Sequence, residues 1–359
     1  MKNFFKALIL IIIIVLLCFV VYNYKNEIET LFSPAKIEIN NYFELDDEPI
    51  YTEKQIEEIL LADDKEITGE YNGKLDTYYY EQLDVYSKLI YKAILSNIDN
   101  LRIGNKEIEL SNSLSNIMKK DNGKEEINIA FQNAWSAFRL DHPEIFDINI
   151  KNVYLTTKTI TIGNKTKYEF YLNSKEEKNI NSINNTKNIV EQKKQEVINN
   201  VNNGNTAIKI LGVHNWLIDN IKYDVTMQKE NNSNIYGALI ENNVVCEGYA
   251  KAFKYILDDL EIPCVIICGE VVDEKGIIQK HAWNEVYLNG KWYAIDVTWD
   301  DPIIIGGGNL TNELRYKYFL KGSTEINKNH FQNGKMSDDE NEIEFKYPEL
   351  SIDDYKKLN

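Results

Sequence analysis

The sequence predicts an α+β fold, in which helices and antiparallel hairpins alternate along the chain. Residues 281–299 form two strand-like runs separated by Asn289-Gly290, the strongest short signal for a hairpin turn. A second alternation of apolar residues, over 152–172, is interrupted by Gly163-Asn164 and predicts another hairpin. Apolar residues at helical spacing follow Cys246 and predict a helix that begins at or just before it.

The N-terminus predicts a membrane segment. Residues Ala7 to Tyr22 form an unbroken apolar run, with Lys2 and Lys6 before it and Lys25 after it. Its length is near the lower limit for a transmembrane helix and above that of most signal-peptide apolar regions. Because no small-residue cleavage site follows directly, an uncleaved anchor over residues 1–25 is favoured over a cleaved signal peptide. We therefore expect one pass through the cell membrane, with the bulk of the chain extracytoplasmic.

Composition and charge limit what the rest of the chain does. The 359 residues are 43% hydrophobic and 11% aromatic, which is ample for one sizeable core or two adjoining ones. The formal net charge is -16, and no basic stripe is visible. Nucleic acid is excluded as a partner, because binding it requires clustered cations to displace the counterions of the phosphates.

The N-terminal half shows few chemical signals and several elements. Apolar residues recur at helical spacing from Leu83 to Leu95 and from Ile129 to Phe138, which predicts two helices. The polar tract 173–205 predicts a solvated helix that connects two parts of the fold. A firmer apolar periodicity predicts a helix from Thr206 to about Lys222.

The three cysteines beyond the apolar run do not form a disulfide framework. Cys264 and Cys268 lie in one apolar run that predicts a buried strand, and four residues along a strand span roughly 13 Å, too far for a bridge. No further Cys or His has the spacing of a zinc site, so no metal and no cofactor is expected. Cys246 is different, because its predicted place at a helix N-terminus stabilises a thiolate.

The hairpin at Asn289-Gly290 sets a register that brings a histidine and an aspartate together. With these two residues as the turn, Trp283 lies opposite Asp296, and His281 lies on the same face, roughly 7 Å from Asp296 along the diagonal. An aspartate within an apolar strand is costly unless it is paired. Cys246, His281 and Asp296 are therefore predicted as nucleophile, base and orienting group of a thiol catalyst.

Other residues are candidates for the same site. His214 shares an apolar helical face and could compete as the base, but a buried supporting histidine is favoured. Asp300 and Asp301 resemble metal ligands in composition, yet next to Pro302 they predict a turn. Three tryptophans of the hairpin region either line a substrate groove or pack in the core, and packing is favoured: Trp283, Trp292 and Trp299.

The same residues carry a resemblance to the bacterial transglutaminase-like superfamily. The matching segments are Val-Cys-Glu-Gly-Tyr-Ala-Lys-Ala-Phe at 245–253, His-Ala-Trp-Asn at 281–284 and Trp-Tyr-Ala-Ile-Asp-Val-Thr-Trp-Asp-Asp-Pro at 292–302. The resemblance covers about residues 130–322. It implies a papain-like core, in which the helix carrying the cysteine packs on an antiparallel sheet. It also implies attack on a peptide or glutamine carboxamide and a thioester intermediate.

For the oxyanion, the backbone N–H of Cys246 is one expected donor, with Trp216 or Tyr236 as guesses for the second. The favoured activity is that of a cysteine protease or amidase acting on peptide or protein substrates, some of them associated with the cell wall. Two alternatives stay open: a protein cross-linking transglutaminase, and a non-catalytic scaffold module.

The predicted organisation has five parts. They are a membrane anchor at 1–25, a stalk at 26–80, an N-terminal α+β region at 81–203, the catalytic core at 204–322 and a C-terminal tail at 323–359.

Overall fold

The computed structural model describes residues 74–104, 106–302, 310–333 and 343–356. The predicted anchor at 1–25 and most of the predicted stalk lie outside these residues. Within the described ranges, no helix combines the length and the apolar character needed to cross a bilayer.

Helices and strands alternate throughout the described chain, so the fold is a mixed helix and sheet structure. The helices are α1 Val85–Ser96, α2 Ile98–Ile103, α3 Gly123–Asp141, α4 Ile180–Val201, α5 Thr206–Asn220, α6 Cys246–Asp259, α7 Asn312–Arg315 and α8 Ser323–Ile326. The strands are β1 Ile108–Glu109, β2 Val153–Ile162, β3 Lys165–Ser174, β4 Lys222–Tyr223, β5 Asn243–Val244, β6 Cys264–Val272, β7 Ile278–Leu288, β8 Lys291–Ile295 and β9 His330–Gln332.

The N-terminal region contains a three-stranded sheet in the order β1-β3-β2. Its hairpin pairs Ile162 with Lys165, and Gly163 opens the two-residue turn at φ 58°, a conformation that glycine adopts without strain. Helices α1 and α3 supply the buried aromatic residues of its core, among them Tyr91, Trp135 and Phe138. The two helices and the hairpin predicted for this region are confirmed.

A four-stranded antiparallel sheet in the order β8-β7-β6-β9 forms the centre of the second half. Asn289 and Gly290 have φ of 51° and 81°, and Leu288 pairs with Lys291. Two positive φ values are those of a type I′ turn, whose twist matches that of the strands. The register predicted from the turn residues is confirmed, because Asn284 pairs with Ile295.

Helix α6 covers one face of this sheet. The Asn284 side chain donates from Nδ2 to the Ala250 carbonyl at 3.0 Å, and Val286 and Leu288 on the same face join the core beneath α5 and α6. The opposite face buries Trp283 and Trp292 in a separate cluster. Both tryptophans therefore pack in the core, and the sheet presents its end, where β6, β7 and β9 meet, to the N-terminus of α6.

Two segments outside the predicted N-terminal region and catalytic core contact the rest of the fold. Tyr79 and Tyr80, assigned to the stalk, are buried, and their backbone N–H groups donate to the Asp141 carboxylate at 3.0 and 2.9 Å. Residues 323–359 are not simply a tail, because β9 pairs with β6 and its His330 is buried. These contacts are made by two tyrosines and by a three-residue strand, so their long-range pairing leaves no periodic pattern. The boundaries of the five predicted parts stay predictions.

Candidate active site

Cys246 is the first residue of α6 and is half-buried. Val245 before it is extended, with φ -91° and ψ -179°, so the chain turns into the helix at the cysteine itself. Gly248 permits this turn, because a Cβ there would lie 2.5 Å from Val244 Cβ and 2.8 Å from the Asn232 carbonyl oxygen. The sulfur therefore lies at the positive end of the helix dipole, which favours an anionic group there.

Glu247 follows the cysteine and would oppose a thiolate if its charge were not balanced. Its carboxylate contacts Arg139 Nη2 at 2.5 Å and Lys251 Nζ at 2.7 Å. Burial raises the pKa of Glu247, but the two cations outweigh it and bring the pKa to about 2. The helix N-terminus thus has no uncompensated negative charge from this residue.

His281 and Asp296 meet as the hairpin register predicts. His281 Nε2 lies 2.7 Å from Asp296 Oδ2, and both side chains are buried. A carboxylate only accepts, so Nε2 donates the proton, and Nδ1 is the nitrogen left for the hydrogen bond between His281 and Cys246. The structure therefore brings the three predicted residues into one hydrogen-bonded series.

The charges in this series favour an imidazolium at neutral pH. Burial lowers the pKa of His281, but the carboxylate of Asp296 and the thiol of Cys246 outweigh it and raise the pKa to about 10. Burial likewise raises the pKa of Asp296, and the charge and hydrogen bond of His281, with those of His330, hold it well below its usual range. An imidazolium beside the sulfur stabilises a thiolate, the form that attacks a carbonyl.

His330 belongs to this site and was missed in the sequence. Its Nε2 lies 2.9 Å from the same Oδ2 of Asp296 that His281 contacts. Asp296 Oδ1 accepts from the Trp299 backbone N–H at 3.1 Å, so three donors converge on the carboxylate. His330 reaches the site through the pairing of β9 with β6, and no local pattern indicates it. His281, Asp296 and His330 are also the residues that could hold a metal ion within the described ranges.

A second buried histidine–aspartate pair, His214 and Asp300, lies next to the first. His214 Nε2 lies 2.9 Å from Asp300 Oδ2, and Asp300 Oδ1 accepts from the Tyr318 N–H at 2.7 Å. Burial lowers the pKa of His214 to about 4 and raises the pKa of Asp300 to about 9. Both groups are neutral at pH 7, which fits the favoured supporting role of His214 and makes it a poor general base.

Asp300 lies in a turn, as predicted, and it is fully buried. Its carboxyl group accepts from the Tyr318 N–H and so holds the Tyr318 backbone against the end of β8. The turn therefore lies inside the fold and stabilises the segment that ends in Asp296.

Tyr223, from β4, is a further residue of the site that the sequence did not indicate. Burial raises its pKa to about 12, and the negative charges of Cys246, Asp224 and Asp296 contribute. Tyr223 pairs with Val244, two residues before Cys246, so β4 brings it to the N-terminal end of α6. By contrast, Trp216 lines a small cavity with Leu239, and Tyr236 stacks on Phe146 at 6.2 Å. Tyr223 is a better candidate for the second oxyanion donor than either of the two guesses.

The other two cysteines that the structure describes are buried and therefore poorly placed to react as nucleophiles. Cys264 and Cys268 are buried in β6, as predicted, and neither forms a disulfide. Burial raises the pKa of Cys264 well above that of a free thiol.

Comparison with known proteins agrees with this geometry. The family model described as the transglutaminase-like superfamily (Transglut_core) matches residues 192–297, which include Cys246, His281 and Asp296. Residues 192–297 are therefore similar to a transglutaminase-like domain. Among curated proteins, kyphoscoliosis peptidase is 26% identical in Mus musculus and 25% in Homo sapiens, each over 137 residues and 33% of this chain. The matched segment of this chain spans 20% of the length of each of these relatives.

Solved structures are more distant. A crystal structure of a TGase is 17% identical, with a TM-score of 0.29, and the match covers 48% of this chain and 50% of that one. The periplasmic domain of TgpA from Pseudomonas aeruginosa is 12% identical, with a TM-score of 0.24, over 38% of this chain and 56% of that one.

Proposed function

We propose that this protein is a thiol hydrolase that cleaves peptide bonds or glutamine carboxamides through a thioester on Cys246. The observation that carries the proposal is the hydrogen-bonded series Cys246, His281, Asp296 at the N-terminus of α6. Hydrolysis is favoured over cross-linking because the curated relatives are named peptidases.

In the first half of the reaction, the Cys246 sulfur attacks the substrate carbonyl carbon and forms the C–S bond. The backbone N–H of Cys246 and the hydroxyl of Tyr223 donate to the oxygen that becomes negative. His281, already an imidazolium, gives its Nδ1 proton to the leaving nitrogen as the C–N bond breaks. The products of this half are an amine or ammonia and the thioester.

In the second half, neutral His281 removes a proton from water through Nδ1, and the water oxygen attacks the thioester carbonyl. The C–S bond then breaks, the acid leaves, and the thiolate and imidazolium are restored. Asp296 keeps Nε2 protonated in both halves, so Nδ1 is the nitrogen that exchanges protons with the reactants. A lysine amine in place of water would give a cross-link by the same steps.

The site of action is part of the proposal. The apolar run from Ala7 to Tyr22, with lysines on both flanks, supports an anchor in the cell membrane and a domain on its outer side. Peptides or proteins of the cell surface, including the cell wall, are then the accessible substrates.

The test uses the full chain, purified in detergent, on casein with a dansylated amine. Wild type is compared with Cys246→Ala, and Cys268→Ala serves as the matched thiol control. New peptide termini or released ammonia that require Cys246 support a hydrolase, and incorporation of the amine that requires Cys246 supports a cross-linker.

Alkylation separates a silent enzyme from a scaffold. Site-resolved mass spectrometry follows iodoacetamide modification of each cysteine in the folded chain. We expect Cys246 to react at least about 100-fold faster than Cys264, because a buried thiol is both shielded and protonated. Equal, slow modification of the two, without turnover, would reject the enzyme and leave the scaffold.

A further inference from the structure

We propose that His330 is a positioning residue of the catalytic series, which then reads Cys246, His281, Asp296, His330. This inference rests on the proposed thiol chemistry and adds a residue to it. Its evidence is the hydrogen bond of 2.9 Å from His330 Nε2 to Asp296 Oδ2, the oxygen that also accepts from His281 Nε2 at 2.7 Å.

His330 is placed by the sheet. In β9 it pairs with Val271 of β6, while Gly269 of β6 pairs with His281 on the other side. Strand β6 therefore lies between the two strands that carry the histidines, and both histidine side chains reach the same carboxylate oxygen of Asp296. Gly269 leaves the room this needs, because a Cβ there would lie 2.6 Å from the Trp283 ring and 2.2 Å from the Phe331 carbonyl oxygen.

The surroundings of His330 fix its orientation. The side chain is 1% exposed and lies among three aromatic rings, with ring centroids 5.2 Å away at Trp283, 4.9 Å at Trp299 and 5.0 Å at Tyr318. Its Nδ1 lies 2.8 Å from Asn329 Oδ1, and Asn329 Nδ2 donates to the Tyr318 hydroxyl at 2.8 Å. The ring is thus held on every side, so the direction of its Nε2–H bond is fixed by packing.

This bond limits the motion of the carboxylate. Asp296 lies just beyond the end of β8, where the Trp299 N–H is the one donor to Oδ1 among the residues that the structure describes. Without His330, Oδ2 would accept a hydrogen bond from His281 alone, and His281 gains and loses its Nδ1 proton during turnover. With His330, Oδ2 keeps a second donor whose hydrogen bond does not change, and Nδ1 of His281 stays directed at the sulfur in both halves of the reaction.

A metal site built from the same three side chains fits less well. Ligand atoms on a tetrahedral zinc ion are about 3.3 Å apart, given bonds of about 2.0 Å. The Nε2 to Oδ2 distances of 2.7 and 2.9 Å are those of direct hydrogen bonds. Both nitrogens carry protons toward the carboxylate, so a cation would have to displace two protons and widen both contacts.

The test is the pH dependence of Cys246 alkylation in the full chain, which needs no substrate. The titratable groups that contact the two histidines are Cys246 from α6, Asp296 after β8, and Tyr318. Tyr223 from β4 and Asp300 act on Asp296 through their charges. His330→Phe keeps the aromatic packing and removes the donor. His330→Gln keeps a side-chain N–H where Nε2 stood.

In wild type we expect fast alkylation that is nearly independent of pH around neutrality. In His330→Phe the rate at pH 7 should fall about 10-fold, and it should rise with pH as it does for an ordinary thiol, because His281 is no longer held toward the sulfur. His330→Gln should restore most of the rate. The matched control His142→Phe removes another buried histidine, distant from Asp296 in the hydrogen-bond network, and should keep the wild-type profile.

Each other outcome overturns the inference. A wild-type profile in His330→Phe would reject the positioning role of His330 and leave the proposed function unaffected. Equal losses in His330→Phe and His330→Gln, with lowered melting temperatures in both, would make His330 a packing residue. Loss of the wild-type profile on treatment with EDTA would identify a metal site instead. Slow alkylation of Cys246 in wild type would reject the thiol chemistry and this inference with it.

Discussion

Replacing Asp296 by Asn removes the charge of the orienting group and almost none of its volume. Three donors converge on the two carboxylate oxygens: the Trp299 N–H and the Nε2–H groups of His281 and His330. An amide offers one oxygen and one NH₂ group. At least one donor would therefore face another donor, and His281 would lose the partner that keeps its proton on Nε2.

The magnitude follows from the pKa of His281. The carboxylate and the thiol raise it from 6.5 to about 10. This rise corresponds to roughly 5 kcal/mol in favour of the imidazolium, at 1.36 kcal/mol for each unit. If most of that preference is lost, we expect kcat for the Cys246-dependent reaction to fall on the order of 10³-fold at pH 7.

The neighbouring buried aspartate provides the matched control. Burial raises the pKa of Asp300 to about 9, so this group is a neutral acid at pH 7. The amide of Asp300→Asn reproduces that acid: its oxygen accepts from the Tyr318 N–H, and its NH₂ donates to His214 Nε2. We expect Asp300→Asn to retain wild-type turnover within about 2-fold, because neither hydrogen bonding nor charge changes.

The assay measures kcat and KM for casein hydrolysis from pH 5.5 to 10, together with unfolding in urea. The raised pKa of His281 means that its stabilising contribution is complete below pH 6.5 and is lost as the pH rises through about 10. Wild type should lose stability over that interval, and Asp296→Asn should not. Equal losses of activity in Asp296→Asn and Asp300→Asn would refute the reasoning. They would show that replacing a buried carboxyl group, and not the loss of its ionic contact with His281, causes the loss of activity.

Three further outcomes are expected. Tyr223→Phe should lower kcat about 10- to 100-fold and leave Cys246 alkylation unchanged, because it removes an oxyanion donor and no part of the nucleophile; turnover kinetics beside alkylation rates check this. Gly248→Ala should destabilise the fold by about 1–3 kcal/mol in urea unfolding, since its Cβ would lie 2.5 Å from Val244 Cβ. Burial raises the pKa of Glu285 far above its usual range, so Glu285→Gln should be more stable than wild type at pH 8 and about equal at pH 4, as thermal melts at the two values will show.

The local part of the site could be predicted because local rules fix it. A two-residue turn with two positive φ values sets the register of β7 on β8, and that register places His281 diagonal to Asp296. Helical periodicity likewise places Cys246 at the first turn of α6. Each step needs information from fewer than about 20 neighbouring residues, and the hydrogen-bond patterns of hairpins and helices supply it.

The remainder depends on contacts between distant parts of the chain. His330 reaches Asp296 because a three-residue strand pairs with β6, and Tyr223 approaches Cys246 because β4 pairs with β5. Strands of two or three residues have no measurable alternation, so neither pairing leaves a pattern in the sequence. For the same reason the sequence predicts a stalk at Tyr79 and Tyr80, because the aspartate that accepts their N–H groups lies 62 and 61 residues away.

Asp296 and Asp300 show how the same residue type acquires opposite charge states within one turn. Both are fully buried, each faces a histidine Nε2, and each accepts a backbone N–H on its Oδ1. Asp296 has in addition a second histidine on Oδ2, and its first histidine contacts a thiol that can take a negative charge. Asp300 has neither, and its histidine is fully buried and lies near the charge of Arg315, which both disfavour an imidazolium. Burial therefore decides the state of Asp300, whereas partners decide that of Asp296. The second donor on Asp296 stabilises a buried ionic pair only four residues away from a neutral pair. Because that donor is His330, we expect the chemistry of Cys246 to need β9, although His330 lies 84 residues later in the chain.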